Sequence, residues 1–309
     1  MDRTQAEYKT GHDKGDGWDM RLGDCVDVVG SMEDESIHYS VFSPPFASLY
    51  TYSNSVRDMG NVKDHDSFGE HFGFLIGELY RVLMAGRLVS IHCMNLPTSK
   101  TRDGVIGLAD FRGVIIRQFQ EAGFIYHSEV VIWKDPVTAM QRTKALGLLH
   151  KQLKKDSCMS RQGIPDTLVT MRKPGDNPER VTHTNESFPV SVWQRYASPI
   201  WTDINPSDTL QKHSAREEED ERHIAPLQLQ VIERSIQLWT NPGDVVLSPF
   251  AGIGSEGHVA IRMGRKFSGV ELKESYYRQA VANLGIAEMM KDQPGLFDSV
   301  KDESCASTE

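Results

Sequence analysis

Hydrophobic residues in the first part of the chain follow two periods, one typical of strands and one typical of helices. Residues 36–43, SIHYSVFS, predict a short buried strand, and residues 66–85 place apolar side chains at helical spacing, with Gly86 as a stop signal. Further along, RLVSIHC predicts a strand, residues 110–122 a helix, and the segment from Phe124 a β-rich stretch. Strands that alternate with helices indicate an α/β fold, a mostly parallel sheet with helices on both faces.

The same alternation returns near the end of the chain. PLQLQVIERSIQLWT predicts an amphipathic helix opened by Pro226, a favoured first-turn residue, and the turn NPGD follows it. VVLSPF then predicts a strand, SEGHVAIRM a helix, KFSGVEL a strand and ESYYRQAVANL a helix. Residues 223–292 therefore form a second regular half after the first half at residues 1–133, and residues 293–309 are predicted to be a loose tail.

Between the two halves, from residue 134 to residue 222, the alternation disappears. The segment is rich in proline, glycine and polar residues, and residues 134–183 hold ten Lys and Arg against five Asp and Glu. The whole chain has a net charge of −9, which argues against a protein that coats nucleic acid indiscriminately but not against a local basic face. We interpret residues 134–222 as a basic inserted region.

The composition is that of a soluble globular protein, with 39% hydrophobic and 25% charged residues among 309. No apolar run approaches the roughly 18–20 residues that cross a bilayer, and the polar N-terminus does not have the pattern of a secretory signal. Four cysteines without paired spacing favour reduced thiols in a cytoplasmic protein. The histidines show no metal-ligand spacing, so no metal site is predicted.

The segment DVVLSPFAGIGSEGHVAIRMGRKFSGVEL has the order of a nucleotide-binding βαβ unit. Gly252, Gly254 and Gly257 match the dinucleotide fingerprint, and Glu271 follows Gly252 by 19 residues, where a carboxylate can accept both hydroxyls of an adenosine ribose. A tight strand-to-helix turn and a nicotinamide-dependent oxidoreductase are the alternatives. The oxidoreductase needs several more strands than the remaining forty or so residues supply, so the sheet must be completed by the N-terminal half.

The early strand ends abruptly in Ser43, Pro44, Pro45 and Phe46. Two consecutive prolines offer no ladder donor and fix the backbone, so they stop the strand at a rigid corner that presents a hydroxyl and an aromatic ring. Structure alone gives only a weak reason for such a corner at the end of a core strand.

With both motifs in this order, the chain resembles the permuted, beta-class DNA amino-methyltransferases. Residues 22–46 resemble the start of that family, where a Gly-Asp pair precedes the catalytic tetrapeptide, and residues 223–280 resemble its cofactor half. The resemblance implies a Rossmann-like methyltransferase sheet, S-adenosylmethionine as cofactor and an inserted DNA-recognition region. A non-catalytic DNA-binding module that retains the fold is a further alternative, against which the intact motifs argue.

The resemblance also assigns roles to individual residues of the cofactor half. It places Phe250 beside the adenine, Gly252 and Gly254 where the cofactor approaches the backbone, and Glu271 on the ribose hydroxyls. Asp24 would accept from the adenine amine, Pro226 would lie in the segment that closes over the methionine end, and Ser248 stands where the family often has Asp. Helix capping by Asp24, core packing by Phe250 and a surface carboxylate at Glu271 are the simpler alternatives.

The Pro-Pro corner suits methylation of an exocyclic amine. Such an amine is a poor nucleophile because its lone pair is delocalised, and two fixed acceptors for its protons turn the lone pair towards a methyl donor. The family resemblance makes Ser43 Oγ and the Pro44 carbonyl those acceptors and stacks Phe46 on a flipped base. Serine at the first position favours N4 of cytosine, with N6 of adenine as the alternative, and no cysteine lies in a nucleophile context that would favour carbon-5 methylation.

The inserted region is the expected reader of double-stranded DNA. Its charges can neutralise phosphates and read guanine edges, whereas a solvated helix face is the simpler interpretation of a Lys-rich helix. A second copy of the chain and a cognate restriction endonuclease are further partners that the sequence leaves open. The basic residues expected to contact DNA are Arg142, Lys144, Lys151, Lys154, Lys155, Arg161, Arg172 and Lys173.

Overall fold

A nine-stranded mixed sheet organises the part of the chain that the computed structural model describes, namely residues 9–45, 65–98, 100–105, 107–137, 154, 163–210 and 226–291. Two further short strands form a separate ribbon. In chain order the strands are β1 (Gly11–Gly15), β2 (Trp18–Leu22), β3 (Ile37–Phe42), β4 (Leu83–Cys93), β5 (Leu96–Pro97), β6 (Leu108–Ala109), β7 (Ile125–Ile132), β8 (Asp166–Arg172), β9 (Ile200–Trp201), β10 (Val245–Ser248) and β11 (Lys266–Glu271).

The spatial order of the sheet is β1-β2-β11-β10-β3-β4-β8-β7-β9, and β5 pairs with β6 in the ribbon. Strands β2, β11, β10, β3 and β4 are parallel neighbours, whereas β8 runs antiparallel to both β4 and β7. The strands from the end of the chain therefore lie beside those from its beginning, which is the arrangement that the late glycine turn required.

Helices cover both faces of the sheet, and each face has its own apolar core. One core packs α1 (Cys25–Gly30), α2 (His65–Val82) and α4 (Phe111–Glu121) against the sheet. The other packs α6 (Leu229–Trp239), α7 (Ser255–Arg262) and α8 (Glu274–Met290) against the opposite face. The predicted α/β fold, with a mostly parallel sheet between two helical layers, is confirmed. Two shorter helices in the described residues are α3 (Lys100–Asp103) and α5 (Val190–Tyr196).

The expected boundaries of the inserted region need correction. Strand β8 lies between β4 and β7, and β9 pairs with β7 at the edge, although both come from residues 134–222. Six of the seven residues of β8 are buried, so this strand is part of the core of the domain. Residues 134–222 are therefore not inserted as a whole, and an inserted DNA-recognition region between β7 and β8 stays a prediction.

Two local predictions are also corrected. Helix α2 ends at Val82, and Gly86 lies inside β4 with a φ of +72°, where the pairing register with β3 shifts. A Cβ on Gly86 would come within 2.7 Å of the Asn177 nitrogen, so close backbone approach explains this glycine. Pro226 does not open a helix, because α6 begins at Leu229 with Gln228 as its N-cap.

None of the helices in the described ranges is both long and apolar enough to cross a membrane.

Candidate active site at the carboxyl edge of the sheet

The Pro-Pro corner and the glycine turn leave the sheet from neighbouring strands. Strands β3 and β10 are parallel, with Tyr39 opposite Val246 and Ser40 opposite Leu247. Because parallel strands end at the same edge, the loops after both strands meet there, and ligands of open α/β sheets bind outside such carboxyl ends. The expected meeting of the two motifs is confirmed.

The glycine turn is held open by the Glu271 carboxylate. One oxygen of Glu271 accepts from the Gly252 N–H at 2.9 Å, and the other accepts from the Lys273 N–H at 2.9 Å. Gly252 has a φ of +53°, and a Cβ added to it would meet no atom within 4 Å. Its side-chain direction therefore faces open space, which fits the close approach of a cofactor to the backbone.

The glycine at position 254 has a packing role that the sequence did not show. Its φ is +84°, and a Cβ there would lie 3.2 Å from atoms of Ala280 on α8. This glycine lets α7 begin directly against α8, so helix packing is the reason that the structure supplies for it. Approach of the cofactor to Gly254 stays a prediction.

An aromatic wall flanks the glycine turn. The Phe250 ring lies 5.7 Å from the Phe42 ring and 6.5 Å from the Phe72 ring, measured between centroids. Phe250 is only partly buried, so one side of it packs on the core while the other is accessible. Core packing and a place beside an adenine ring are therefore compatible for this residue.

Asp24 caps helix α1, which confirms the simpler of the two interpretations of this residue. Its side chain accepts from the Val26 N–H at 2.9 Å at the start of α1, and it is 7% exposed. The preceding Gly23 donates its N–H to the Glu271 carbonyl, so Asp24 and Glu271 stand at the ends of adjacent strands. A role of Asp24 towards the adenine amine stays a prediction.

Ser248 ends β10 with a hydroxyl that is buried and has no hydrogen-bond partner among the described residues. An orphaned hydroxyl at the strand end indicates a polar position where the family resemblance expects Asp. Pro226 is partly buried and lies three residues before α6.

Glu256 is a functional candidate that sequence reasoning missed. It is 4% exposed in the first turn of α7, directly behind the glycine turn. Burial raises the pKa of Glu256 to about 8, and the charge of Glu271 acts in the same direction. The site therefore holds a carboxyl that keeps its proton near neutral pH, and the residue type inside a glycine-rich turn was the only available signal.

Ser43 stands at the other side of the same edge. The register that sets Phe42 opposite Ile91 brings Ser43 beside His92, and Ser43 Oγ lies 2.9 Å from His92 Nδ1. Ser43 and Pro45 are partly exposed and Pro44 is buried. Phe46 falls outside the residues that the structure describes.

Behind Ser43 lies a chain of buried charged groups that the sequence did not reveal. His92 is 8% and Asp166 is 3% exposed, and His92 Nε2 lies 3.2 Å from Asp166 Oδ2. This is a close electrostatic contact rather than a well-directed hydrogen bond, because the N–H does not point squarely at the oxygen. The Lys134 ammonium donates to the other oxygen of Asp166.

The charge state of Asp166 follows from these partners. Burial on its own raises the pKa of this carboxyl, but the adjacent His92 and Lys134 outweigh burial and hold the pKa below its ordinary value. Asp166 is therefore a carboxylate at neutral pH, and His92 lies between it and the hydroxyl of Ser43.

The cysteines that the structure describes are inert core residues, as predicted. Cys25 and Cys93 are buried free thiols, and burial raises the pKa of each well above its ordinary value. A thiol that stays protonated is a poor nucleophile, so neither residue supports a carbon-5 mechanism.

One of the expected DNA contacts, Lys173, is contradicted by its burial. Lys173 is 8% exposed, and its ammonium donates to the Leu83 carbonyl and to Glu35. Arg172, which pairs with Leu88 in the middle of β4, is partly exposed and stays a prediction as a DNA contact. The local density of basic residues was misleading for Lys173, because this residue lies directly after β8 and its ammonium is bonded inside the protein.

Lys154 is exposed and stays a prediction as a DNA contact. The other expected contacts lie outside the described residues: Arg142, Lys144, Lys151, Lys155 and Arg161.

One group of ligand-type side chains, His38, Glu179 and Asp244, lies together near the amino edge of the sheet. His38 Nδ1 accepts from the Val245 N–H, so its proton is on Nε2, which contacts Glu179 Oε2 at 3.0 Å. Asp244 forms a buried ion pair with Arg87. His38 and Asp244 are thus held by backbone and ion-pair contacts, and we interpret the group as a structural network.

A family model described as DNA methylase matches residues 37–282 and so spans both motifs. The chain belongs to this DNA methylase family. It is 40% identical to the DNA adenine methyltransferase YhdJ of Escherichia coli strain K12, over 86% of this chain and 82% of that protein. It is 39% identical to the type II methyltransferase M.BamHI of Bacillus amyloliquefaciens, over 81% of this chain but only 53% of that protein.

Solved structures show the same fold. TTHA0409 of Thermus thermophilus, in complex with S-adenosyl-L-methionine, aligns with a TM-score of 0.64 at 22% identity, over 86% of this chain and 94% of that one. The PvuII DNA methyltransferase (cytosine-N4-specific) aligns with a TM-score of 0.61 at 17% identity, over 89% of this chain and 92% of that one.

The DNA methylase is accordingly an S-adenosylmethionine-dependent enzyme of the class that methylates N4 of cytosine or N6 of adenine. The open space at Gly252, the Glu271 carboxylate and the accessible side of Phe250 fit this cofactor. The nicotinamide-dependent alternative is excluded by the family, and in the described residues only α8 follows β11.

Proposed function

We propose that the enzyme methylates N4 of cytosine in double-stranded DNA, with Ser43 Oγ and the Pro44 carbonyl as acceptors for the two amine protons. The observation that carries this proposal is the place of Ser43. It ends β3 beside the β10 strand that leads into the Gly252 turn, and its side chain is partly exposed. A neutral hydroxyl at this position is the feature that favours cytosine over adenine.

The cofactor-facing residues would act together at the ends of β2, β10 and β11. A carboxylate has about four lone-pair sites, so Glu271 can accept from ribose hydroxyls in addition to the Gly252 and Lys273 N–H groups. Phe250 offers an apolar face to the adenine. Asp24, at the end of the neighbouring strand, would accept from the adenine amine, and Gly254, Ser248 and Pro226 would complete the enclosure.

When bound, S-adenosylmethionine supplies an electrophilic methyl group on a sulfonium. The chain's part is to hold a flipped base so that its exocyclic nitrogen faces that methyl group, at a cost of a few kcal/mol for base extrusion. Accepting both amine protons draws electron density back onto the nitrogen, and the fixed backbone of Pro44 and Pro45 keeps one acceptor in place. Phe46 would stack on the base.

DNA contacts would come from the basic segment between β7 and β8, through Lys154 and the undescribed Arg142, Lys144, Lys151, Lys155 and Arg161. Phosphate contacts of this kind make affinity fall steeply with salt. A homodimer, a cognate restriction endonuclease and a cytoplasmic location stay predictions.

N6 of adenine is the second candidate, because a relative that is 40% identical over 86% of this chain is a DNA adenine methyltransferase. Both bases offer an exocyclic amine to the same two acceptors. The two candidates therefore differ in the base pocket and share the chemistry.

Mass spectrometry of nucleosides separates the candidates. Duplex DNA of mixed sequence is incubated with the enzyme and S-adenosylmethionine and is then digested to nucleosides. We expect 4-methylcytosine. If 6-methyladenine forms instead, the second candidate is correct, and if neither forms on a broad panel of DNA sequences, the proposal is overturned.

A further inference from the structure

We infer that His92, held between Ser43 and Asp166, keeps Ser43 oriented as an acceptor and takes up, through Ser43, the proton that the base amine must release. The inference rests on the proposed function of Ser43 but applies to either target base. His92 is then a positioning residue, because it acts on the substrate only through Ser43.

The first step concerns the proton on the imidazole ring. Asp166 is a buried carboxylate 3.2 Å from His92 Nε2, and a negative charge at that distance favours the proton on Nε2. The lone pair is then on Nδ1, 2.9 Å from Ser43 Oγ, so the serine donates its hydroxyl proton to His92. Both lone pairs of Ser43 Oγ are left for the base.

The second step concerns the fate of a proton. Methyl transfer forms a bond between the amine nitrogen and the methyl carbon with the nitrogen lone pair, while the carbon–sulfur bond breaks and sulfur keeps its electrons. The nitrogen becomes positively charged and must lose one proton. The Pro44 carbonyl is an amide oxygen, which is too weakly basic to keep it, whereas Ser43 is connected to an imidazole.

The proton leaves the amine through two coupled proton transfers over short distances. One amine proton passes to Ser43 Oγ as the hydroxyl proton of Ser43 passes to His92 Nδ1, and the nitrogen–hydrogen electron pair returns to the amine. The neutral methylated base and an imidazolium result. The imidazolium lies beside the Asp166 carboxylate, which stabilises its charge, and His92 later returns the proton to solvent.

Lys134 modulates the electrostatic effect of Asp166 on His92. Its ammonium pairs with Asp166 and so offsets part of the negative charge that Asp166 presents to His92. Removal of Lys134 should favour protonated His92, and removal of the Asp166 charge should disfavour it. Among the described residues, further titratable or charged groups around this end of β4 include Cys93, Asp110, Arg112, Tyr126 and Glu129.

The test measures single-turnover methyl transfer to duplex DNA against pH with saturating S-adenosylmethionine. The variants are His92→Gln, Asp166→Asn and Lys134→Met. Ser90→Ala is the matched control, because Ser90 and Thr170 form a buried 2.8 Å hydrogen bond between the same strands, β4 and β8. Thermal melting and cofactor affinity are recorded for every variant.

We expect His92→Gln to lower the transfer rate by about a hundredfold, the low end of general-base effects, with cofactor affinity retained. The acidic limb of the pH profile should move to lower pH in Asp166→Asn and to higher pH in Lys134→Met. Ser90→Ala should keep the wild-type profile even if it melts earlier. A purely structural role would not move the limb in opposite directions.

Two results would overturn the inference. One is a folded His92→Gln enzyme whose rate stays within about threefold of the control. The other is an acidic limb that is unchanged in both charge variants. A fully active Ser43→Ala enzyme would instead contradict the proposed function, so the two failures are distinguishable.

Discussion

The hydroxyl of Ser40 donates a 3.0 Å hydrogen bond to the carbonyl oxygen of Leu247. Ser40 lies on β3 three residues before Ser43, and Leu247 lies on β10 five residues before Gly252, so this buried bond fastens the two motif-bearing strands together. The hydrogen bond adds to the parallel pairing of the same two residues. The distance between the base site and the cofactor site is thus set inside the sheet rather than by the loops.

Gly252→Ala should lose cofactor affinity for a local reason. A Cβ at this position meets no protein atom within 4 Å, so it would project into the space where the cofactor is expected. Gly264→Ala is a matched control, because Gly264 also has a positive φ, of +74°, and open space around its Cβ. Each change should cost about 1–2 kcal/mol of stability through backbone strain.

We expect calorimetry to show at least about tenfold weaker S-adenosylmethionine binding for Gly252→Ala only, since a clash of one methyl group with a ligand should cost more than about 1.4 kcal/mol. Equal binding by the two variants would mean that the cofactor does not approach this turn.

Glu271→Gln should weaken cofactor binding more than it weakens the fold. An amide can still accept from one of the two N–H groups that Glu271 now holds, but it accepts poorly from two ribose hydroxyls at once. Glu274→Gln is the control, because Glu274 is a partly exposed carboxylate at the start of α8 that pairs with Lys9 and Arg278. Isothermal titration should show about a tenfold or greater loss of S-adenosylmethionine affinity for Glu271→Gln. An unchanged affinity would contradict a contact between Glu271 and the ribose.

Glu256 should make stability depend on pH. Its pKa is about 8 in the folded chain and near 4.5 when unfolded, so the folded state keeps a proton that the unfolded state releases between these values. Stability from this group is therefore full below about pH 4.5 and is lost as the pH rises through about 8. Glu256→Gln should melt several degrees higher than wild type at about pH 8.5 and about equally at about pH 4.5.

Glu233→Gln, on the exposed side of α6, is the control for that experiment and should follow the wild-type curve at both pH values. A Glu256→Gln difference that is the same at the acidic and the alkaline pH would show that the carboxyl does not carry a proton in the folded chain.

Asp244→Ala should destabilise the amino edge of the sheet. Arg87 and Asp244 form a buried ion pair, and Arg87 also donates to the His38 carbonyl at 2.8 Å. Removing the carboxylate leaves a buried guanidinium without its charge partner, at a cost of about 3–5 kcal/mol in the free energy of unfolding. Asp34→Ala breaks an exposed pair with Arg81 and should cost less than about 1 kcal/mol in the same denaturant titration. Similar costs for both would contradict the burial of the first pair.

The regular halves of the fold were predictable because their apolar periods are local. Strand β3, helix α4 and the unit from β10 to β11 lie within a few residues of their expected positions. The β1–β2 hairpin was missed because glycine and charged residues surround Trp18, Met20 and Leu22, whose alternate burial becomes visible only when β2 pairs with β11. Pairing over so large a sequence separation leaves no local signal.

The two motifs of the candidate site were predictable from the sequence, whereas the buried His92 and Asp166 next to Ser43 were not. Ser43 and Gly252 are marked by proline and glycine neighbours whose backbone geometry is restricted. His92 and Asp166 are 74 residues apart and have no shared spacing, so only the antiparallel pairing of β4 with β8 brings them together. Lys173 looked like a phosphate ligand because charge density does not show which side chains are buried.

The most direct test of the central claim, that Ser43 presents an acceptor to a base facing the cofactor, is labelled methyl transfer to duplex DNA by Ser43→Ala. Ser36→Ala, at a partly exposed serine just before the start of β3, is the control. We expect Ser43→Ala to bind S-adenosylmethionine with wild-type affinity and to transfer methyl groups at least about a hundredfold more slowly, while Ser36→Ala behaves as wild type. Undiminished transfer by Ser43→Ala would contradict the account.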